Sequence, residues 1–291
     1  MTYTLWELID LDRYPLDQPG SERYLAVVDE AQTGLRSVGC AVIADLVRSD
    51  AVARINGEIE DRKHTTHFST EVMNPYFHTT PNPDFGEHHP VNTFLERSSG
   101  FIPGDSWNSG MAIDALFRAP ELAQFLADCL EIGELHCYAD PLAGLTANIL
   151  DPGQQFTWHF DTNDFAVTVL VQDADSGGEF QYYPAIRSAT DENFDTIQAV
   201  LDGGEAVGRS EGVHTLELRP GDLQIFRGRH SLHRVKRVAA DSRPRHAAIF
   251  AYTEQPGVIG RVARTTQLFG RVLPEHEAAE RHRVRSDPLI D

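Results

Sequence analysis

Cysteine is scarce in this chain: Cys40, Cys129 and Cys137 are the only three in 291 residues. None lies in a CxxC pair, and their scatter excludes a disulfide framework, which suits a reducing compartment; the expected location is cytoplasmic. Basic residues are in deficit as well. The 25 lysines and arginines stand against 44 aspartates and glutamates, a formal charge of −19. Such a surface repels nucleic acid and anionic membranes and carries no basic stripe to overcome the repulsion, so neither is an expected partner. No run approaches the roughly 18 apolar residues that a membrane span requires. The N-terminal MTYTLWELIDLDRYP carries early acids where a secretory signal would carry a basic start and an apolar run. Repeats and low-complexity segments are absent too.

What is present suits a folded protein: 41% hydrophobic residues over a length fit for one sizeable domain or two small ones. The first half reads as helical. Ser21 is a candidate N-cap for ERYLAVVDEAQTGLRS, the short apolar run CAVIADL reads as a strand, and SDAVARINGEIEDR restores helical spacing with Ser49 or Asp50 available as a cap. From Lys63 to Trp107 the chain is rich in His, Asn, Pro and Gly and is expected to be loop-dominated, a candidate cover for a binding site. Its five histidines, His64, His67, His78, His88 and His89, match no ligand spacing and are read as surface or supporting residues. Helical character returns in MAIDALFRAPELAQFLADCLEI, broken at Pro120.

Beyond His136 the texture changes. LTANIL, FAVTVLVQ, GEFQYYP, GVHTLEL, DLQIF and RHAAIFAYT are short runs rich in β-branched or aromatic residues, separated by turn signals such as DPG, DSGG and RPGD. That spacing argues for a β-sandwich or barrel, and a jelly roll suits it.

In TWHFDTNDF, His159 and Asp161 lie two residues apart, so an extended strand puts both side chains on one face. A third ligand must come from elsewhere, and GDLQIFRGRHSLHRV offers His230 and His233 after an apolar strand. Two histidines and one carboxylate on one side of a metal leave positions open, which suits non-haem Fe(II) oxygen chemistry.

Taken in order, WHFD, SGGEF, RPGDLQIF, LHRV and RHAAIFAY resemble the double-stranded β-helix core of the Fe(II)/2-oxoglutarate oxygenases, over about Asn148 to Tyr252. The resemblance implies an α+β chain whose jelly-roll, cupin-like core follows a helical N-terminal region. One oxygenase domain would fill residues 1–291: a helical and loop region at 1–135, the core at 136–257 and a C-terminal extension at 258–291. It implies His159, Asp161 and His233 as both metal ligands and catalytic centre, with His230 in support, and Fe(II), 2-oxoglutarate and O2 as cofactors. The arginine that grips the far carboxylate of oxoglutarate falls on Arg245, with Arg243 as the alternative; arginine's planar fork suits a carboxylate better than lysine does. Many members carry Ser or Thr two residues on, where this chain has Ala247, so Asn148 is the expected substitute.

In halogenating relatives a small residue replaces the carboxylate of the HxD motif. Asp161 is retained here, so the resemblance implies hydroxylation of an sp3 carbon, with release of succinate and CO2. SVGCAVIADLV, ERSSGFIPGD, YADPLAG and RTTQLFGRV further resemble the oxygenases and halogenases of free amino acids, including the lysine chlorinases. On that resemblance the substrate is a free amino acid or a close small-molecule relative, with Arg97 gripping its carboxylate and Asp140 or Asp164 its amine. Two alternatives stand beside it: the same chemistry on a peptide, carrier-tethered or other small substrate, and a non-catalytic cupin-like protein that binds a metal or ligand. The terminal LPEHEAAERHRVRSDPLID is expected to fold back as a helix or to pair with a second copy in a homodimer.

Overall fold

The computed structural model describes residues 3–203, 212–281 and 289–290. Helix α1 (Leu5–Leu8) leads to α2 (Glu22–Val38), where the Ser21 side chain accepts the Tyr24 N–H as the cap and Gly39, at φ 68°, takes the left-handed turn that ends the helix. Strand β1 (Cys40–Ile43) and helix α3 (Ser49–Arg62) follow as the sequence pattern predicts. The cap differs: Arg48 occupies it without a side-chain bond, and Asp50 falls in the first turn, where a negative charge meets the positive helix end.

The stretch from Lys63 to Trp107 is not the expected loop. Strands β2 (His67–Met73) and β3 (Leu95–Ile102) pair antiparallel within it, from His67 opposite Phe101 to Met73 opposite Leu95. Strand β3 is buried continuously from Arg97 to Ile102, so its polar residues show no alternation to read. Only the connection between the strands is irregular, apart from a helical turn at Pro90–Asn92. Helices α4 (Ala112–Phe117) and α5 (Pro120–Leu130) are separate, because Pro120 lacks an N–H and opens a helix more readily than it continues one.

The remaining strands are β4 (His136–Cys137), β5 (Leu145–Leu150), β6 (Phe156–His159), β7 (Ala166–Gln172) and β8 (Phe180–Tyr183), then, after helix α6 (Phe194–Leu201), β9 (His214–Leu216), β10 (Leu223–Phe226), β11 (Leu232–Val235), β12 (Arg245–Phe250) and β13 (Tyr252–Thr253). Seven strands form one antiparallel sheet in the order β1-β10-β7-β12-β5-β3-β2, and four form a second in the order β6-β11-β8-β9. This is the expected α+β jelly roll. It draws β1, β2 and β3 from residues 1–135, so its strands are not confined to 136–257.

Period-two alternation divides the large sheet's faces. Val167, Val169, Val171, Leu223, Ile225, Ala248 and Phe250 are buried in one core with Leu35, Ile55, Leu116 and Phe125 of the helices. Full burial of an aliphatic side chain is worth roughly 1.5–3 kcal/mol, so this outer face anchors the sheet. The residues between them, Thr168, Gln224, Arg245 and Ala247, line a cavity on the other face. Helices α7 (Val262–Phe269) and α8 (Pro274–Glu280) fold back against the body, where His276 of α8 is buried. Among the described residues no helix is long and apolar enough to cross a membrane.

Candidate active site

The cavity has a volume of about 560 Å³, and residues of both sheets and of the segment around α7 line it. That size is typical of small-molecule sites. His159 closes β6 and His233 lies in β11; antiparallel pairing sets the two directly opposite, with ring centroids 4.0 Å apart. Asp161 follows β6, its Oδ1 3.5 Å from His233 Nε2 and 3.9 Å from His159 Nε2. One ligand atom from each residue lies within 4.8 Å of the others. His230, half-buried in the turn before β11, is not in this group, nor are the five histidines between Lys63 and Trp107.

The three residues fit a bound divalent ion. His159 Nδ1 is 2.8 Å from Thr157 O and His233 Nδ1 is 3.0 Å from Ser231 O, contacts that place the proton on Nδ1 and turn Nε2 inward as a lone-pair donor. Burial, reinforced by His233, holds the His159 pKa well below the ordinary range, so its imidazole is neutral and ready to ligate. Asp161 Oδ2 is buried without a hydrogen-bond partner, which a cation would supply. The Asp161 N–H donates to Gly228 O at 3.1 Å, bringing the Gly228 backbone against the carboxylate. Two imidazoles and one carboxylate on one side of an ion are the donor set suited to Fe(II).

Arg245 opens β12 and points into the same cavity, only 5% exposed. It has no ion pair among the described residues, and burial pulls its pKa down to about 10 despite Asp173 nearby. Arg243 is exposed and engaged elsewhere, with Nε 3.2 Å from Asp175 Oδ1 and donating to Asp173 O at 2.9 Å. Asn148, opposite Ala247 across the β5–β12 pairing, also lines the cavity and gives one amide N–H to Gly100 O at 3.1 Å.

The expected substrate residues are not gathered at the cavity. Arg97 is 1% exposed on β3; it donates to Ser69 Oγ, lies 3.8 Å from Glu71 and sits over the Phe156 ring, 5.4 Å from its centroid. Asp140 corrects the sequence reading. Its Oδ1 accepts the N–H groups of Leu142 and Ala143, both at 2.8 Å, while Oδ2 accepts that of Gly260 at 2.8 Å and meets His276 Nε2 at 3.0 Å. Its carboxylate is thus committed to pinning the α7 and α8 segments, with no access for an amine. Asp164 is a second correction: its side chain is 71% exposed and 3.7 Å from Arg229, outside the cavity lining.

The sequence reading passed over Arg264. It lies on α7 within RTTQLFGRV, lines the cavity, and rests its guanidinium 3.3 Å from the centroid of the Phe77 ring. Nothing local in the sequence shows that this segment forms a cavity wall.

Among curated proteins no sequence matches this chain. The fold is similar to that of the non-haem α-ketoglutarate-dependent epimerase SnoN from nogalamycin biosynthesis, at 13% identity over 86% of this chain and 93% of that one, with a TM-score of 0.53 for the complex holding Fe3+ and α-ketoglutarate. It is likewise similar to AviO1 from Streptomyces viridochromogenes Tue57, at 15% identity over 80% and 96% of the chains, with a TM-score of 0.51. The family model for Halogenase D matches residues 105–266, which include Asn148, His159, Asp161, His233, Arg245 and Arg264. That match spans more than half of the 291 residues: the chain belongs to the Halogenase D family, with a fold similar to that of an α-ketoglutarate-dependent non-haem enzyme and a His159, Asp161 and His233 group able to hold a metal ion.

Proposed function

We propose that this protein hydroxylates an sp3 carbon of a free amino acid or a closely related small metabolite, releasing succinate and CO2. The observation that carries the reading is one cavity lined both by the group His159, Asp161 and His233 and by a buried arginine, Arg245, that has no ion pair among the described residues. When bound, Fe(II) and 2-oxoglutarate supply O2 activation and the oxidising power for C–H cleavage.

The residues divide the remaining work. His159, Asp161 and His233 hold the metal, their Nδ1–carbonyl bonds fixing both rings before it binds. Arg245 receives the far carboxylate of oxoglutarate in a low-dielectric setting, where a charge pair with two parallel hydrogen bonds is strong. Asn148 retains an amide N–H and a carbonyl to assist in place of the hydroxyl that Ala247 lacks. Retention of Asp161 favours hydroxylation over halogenation, because its carboxylate occupies the position that a small residue would leave to a halide. Anaerobic loading with Fe(II) and oxoglutarate, followed by O2 and a panel of free amino acids, tests the reading through succinate and substrate mass.

A further inference from the structure

The charged lining of the cavity is unbalanced. Asp161 is the only acid among the lining residues described, and the metal claims it; Arg245, Arg261 and Arg264 are the cations outside the triad. Arg245 is matched by oxoglutarate. Arg261 is engaged with a partner of its own; Arg264 remains, with a 3.3 Å hydrogen bond from Nη1 to the neutral Gln267 and no ion pair among the described residues. Phe77 touches both Arg264 and the metal group, its ring centroid 3.3 Å from the guanidinium carbon and 5.4 Å from the His159 ring centroid, and Gln267 Nε2 donates to Phe77 O at 3.0 Å. The guanidinium is therefore seated by its surroundings and not neutralised by them.

A half-buried cation with no anion is costly, and the cost is relieved by an anionic ligand. Enclosure, with the neighbouring Arg97 adding to it, pulls the Arg264 pKa down to about 9 even though Asp161 and Glu71 act in the opposite sense, so the acids already present do not offset the burial of this cation. Arg97 itself keeps Nε and Nη1 buried without hydrogen-bond partners. At the other extreme, no lining acid among the described residues is left to pair with a cationic side chain: Asp140 is consumed by four contacts, and Asp164 faces solvent.

We propose that Arg264 receives the substrate's carboxylate and that the substrate's side chain is uncharged or acidic, not basic. This rests on the reading of the cavity as an Fe(II)/oxoglutarate site. Within the expected class of free amino acids it excludes basic ones such as lysine, and it gives α7 a specificity role.

The test is anaerobic calorimetry on Fe(II)-loaded protein, titrated first with oxoglutarate and then with each common L-amino acid beside its C-terminal amide. An uncharged or acidic amino acid should bind at least tenfold more tightly than its amide. In Arg264→Gln that acid-over-amide preference should collapse, while Arg264→Lys should restore part of it and oxoglutarate binding should be unchanged in both. A merely structural arginine would not move the preference. The proposal is overturned if lysine or arginine is the tightest ligand, if the preference persists in Arg264→Gln, or if no amino acid binds to protein that does bind oxoglutarate. Failure of oxoglutarate itself to bind would overturn the underlying site reading instead.

Discussion

A methyl group placed on Gly228 would fall 1.8 Å from Asp161 Oδ2, well inside any tolerable contact. The carboxylate is thus held against bare backbone, and Gly228 is required for the space it leaves and not for its torsion angles. Gly228→Ala should displace Asp161 and weaken Fe(II) binding by roughly 10–100-fold, the usual cost of disturbing a ligand's support. Circular dichroism should show the fold intact, and metal titration reads the loss; unchanged affinity would contradict the packing account.

Arg245→Gln removes the fork and charge that await an oxoglutarate carboxylate. Truncating one member of a buried charged pair costs about 2–5 kcal/mol, so the oxoglutarate requirement should rise by roughly two orders of magnitude. The effect belongs in KM more than in kcat, because the arginine holds the co-substrate in ground state and transition state alike. Steady-state kinetics over a wide oxoglutarate range separates the two.

Asp140→Ala should act on stability. It strands the N–H groups of Leu142, Ala143 and Gly260 and releases His276, and leaving such groups unpaired costs about 1–3 kcal/mol apiece. A melting temperature lower by several degrees is expected. An unaltered melting temperature with weakened amine binding would instead restore Asp140 to the substrate site.

His246, fully buried on β12 with Nδ1 2.9 Å from Asn56 Oδ1, has its pKa lowered to about 4 by burial, with Lys63 adding to the effect. Its folded pKa lies below the unfolded value, so the unfolded chain takes up the proton first as pH falls. The stability it allows is complete above about pH 6.5 and is lost between there and pH 4, by about 3 kcal/mol at 1.36 kcal/mol per pKa unit. Urea denaturation of His246→Gln across that window should show a shallower slope than the wild type.

Much of this architecture was legible in the sequence because one side of each element faces apolar surroundings. The valines of β7 alternate against the helices, and Ser21 caps α2 as read. His159 and Asp161 were found because their two-residue spacing along the chain fixes which face they share. What escaped depended on the third dimension. The pairing of His159 with His233 is a matter of strand register, and local sequence does not record register. Strand β3 was taken for loop because an inner strand buried along its length loses its period, and edge strand β2 because its apolar Phe68 and Val72 are the exposed positions, so its alternation points to no core. Asp140 resembled a pocket acid until the backbone N–H groups around it were counted, and Arg264 gave no sign of its place because α7 reaches the cavity only by folding back over the sheets.

The most direct test of the central claim is mass analysis of the product formed by wild-type protein and Asp161→Gly, each loaded anaerobically with Fe(II) and oxoglutarate, then exposed to O2 and amino acids in chloride buffer. Wild-type protein should add one oxygen to its substrate with one succinate formed, and Asp161→Gly should lose that hydroxylation. A chlorinated product from the wild type, or undiminished hydroxylation by Asp161→Gly, would contradict the assignment of Asp161 as the metal's carboxylate ligand in a hydroxylase.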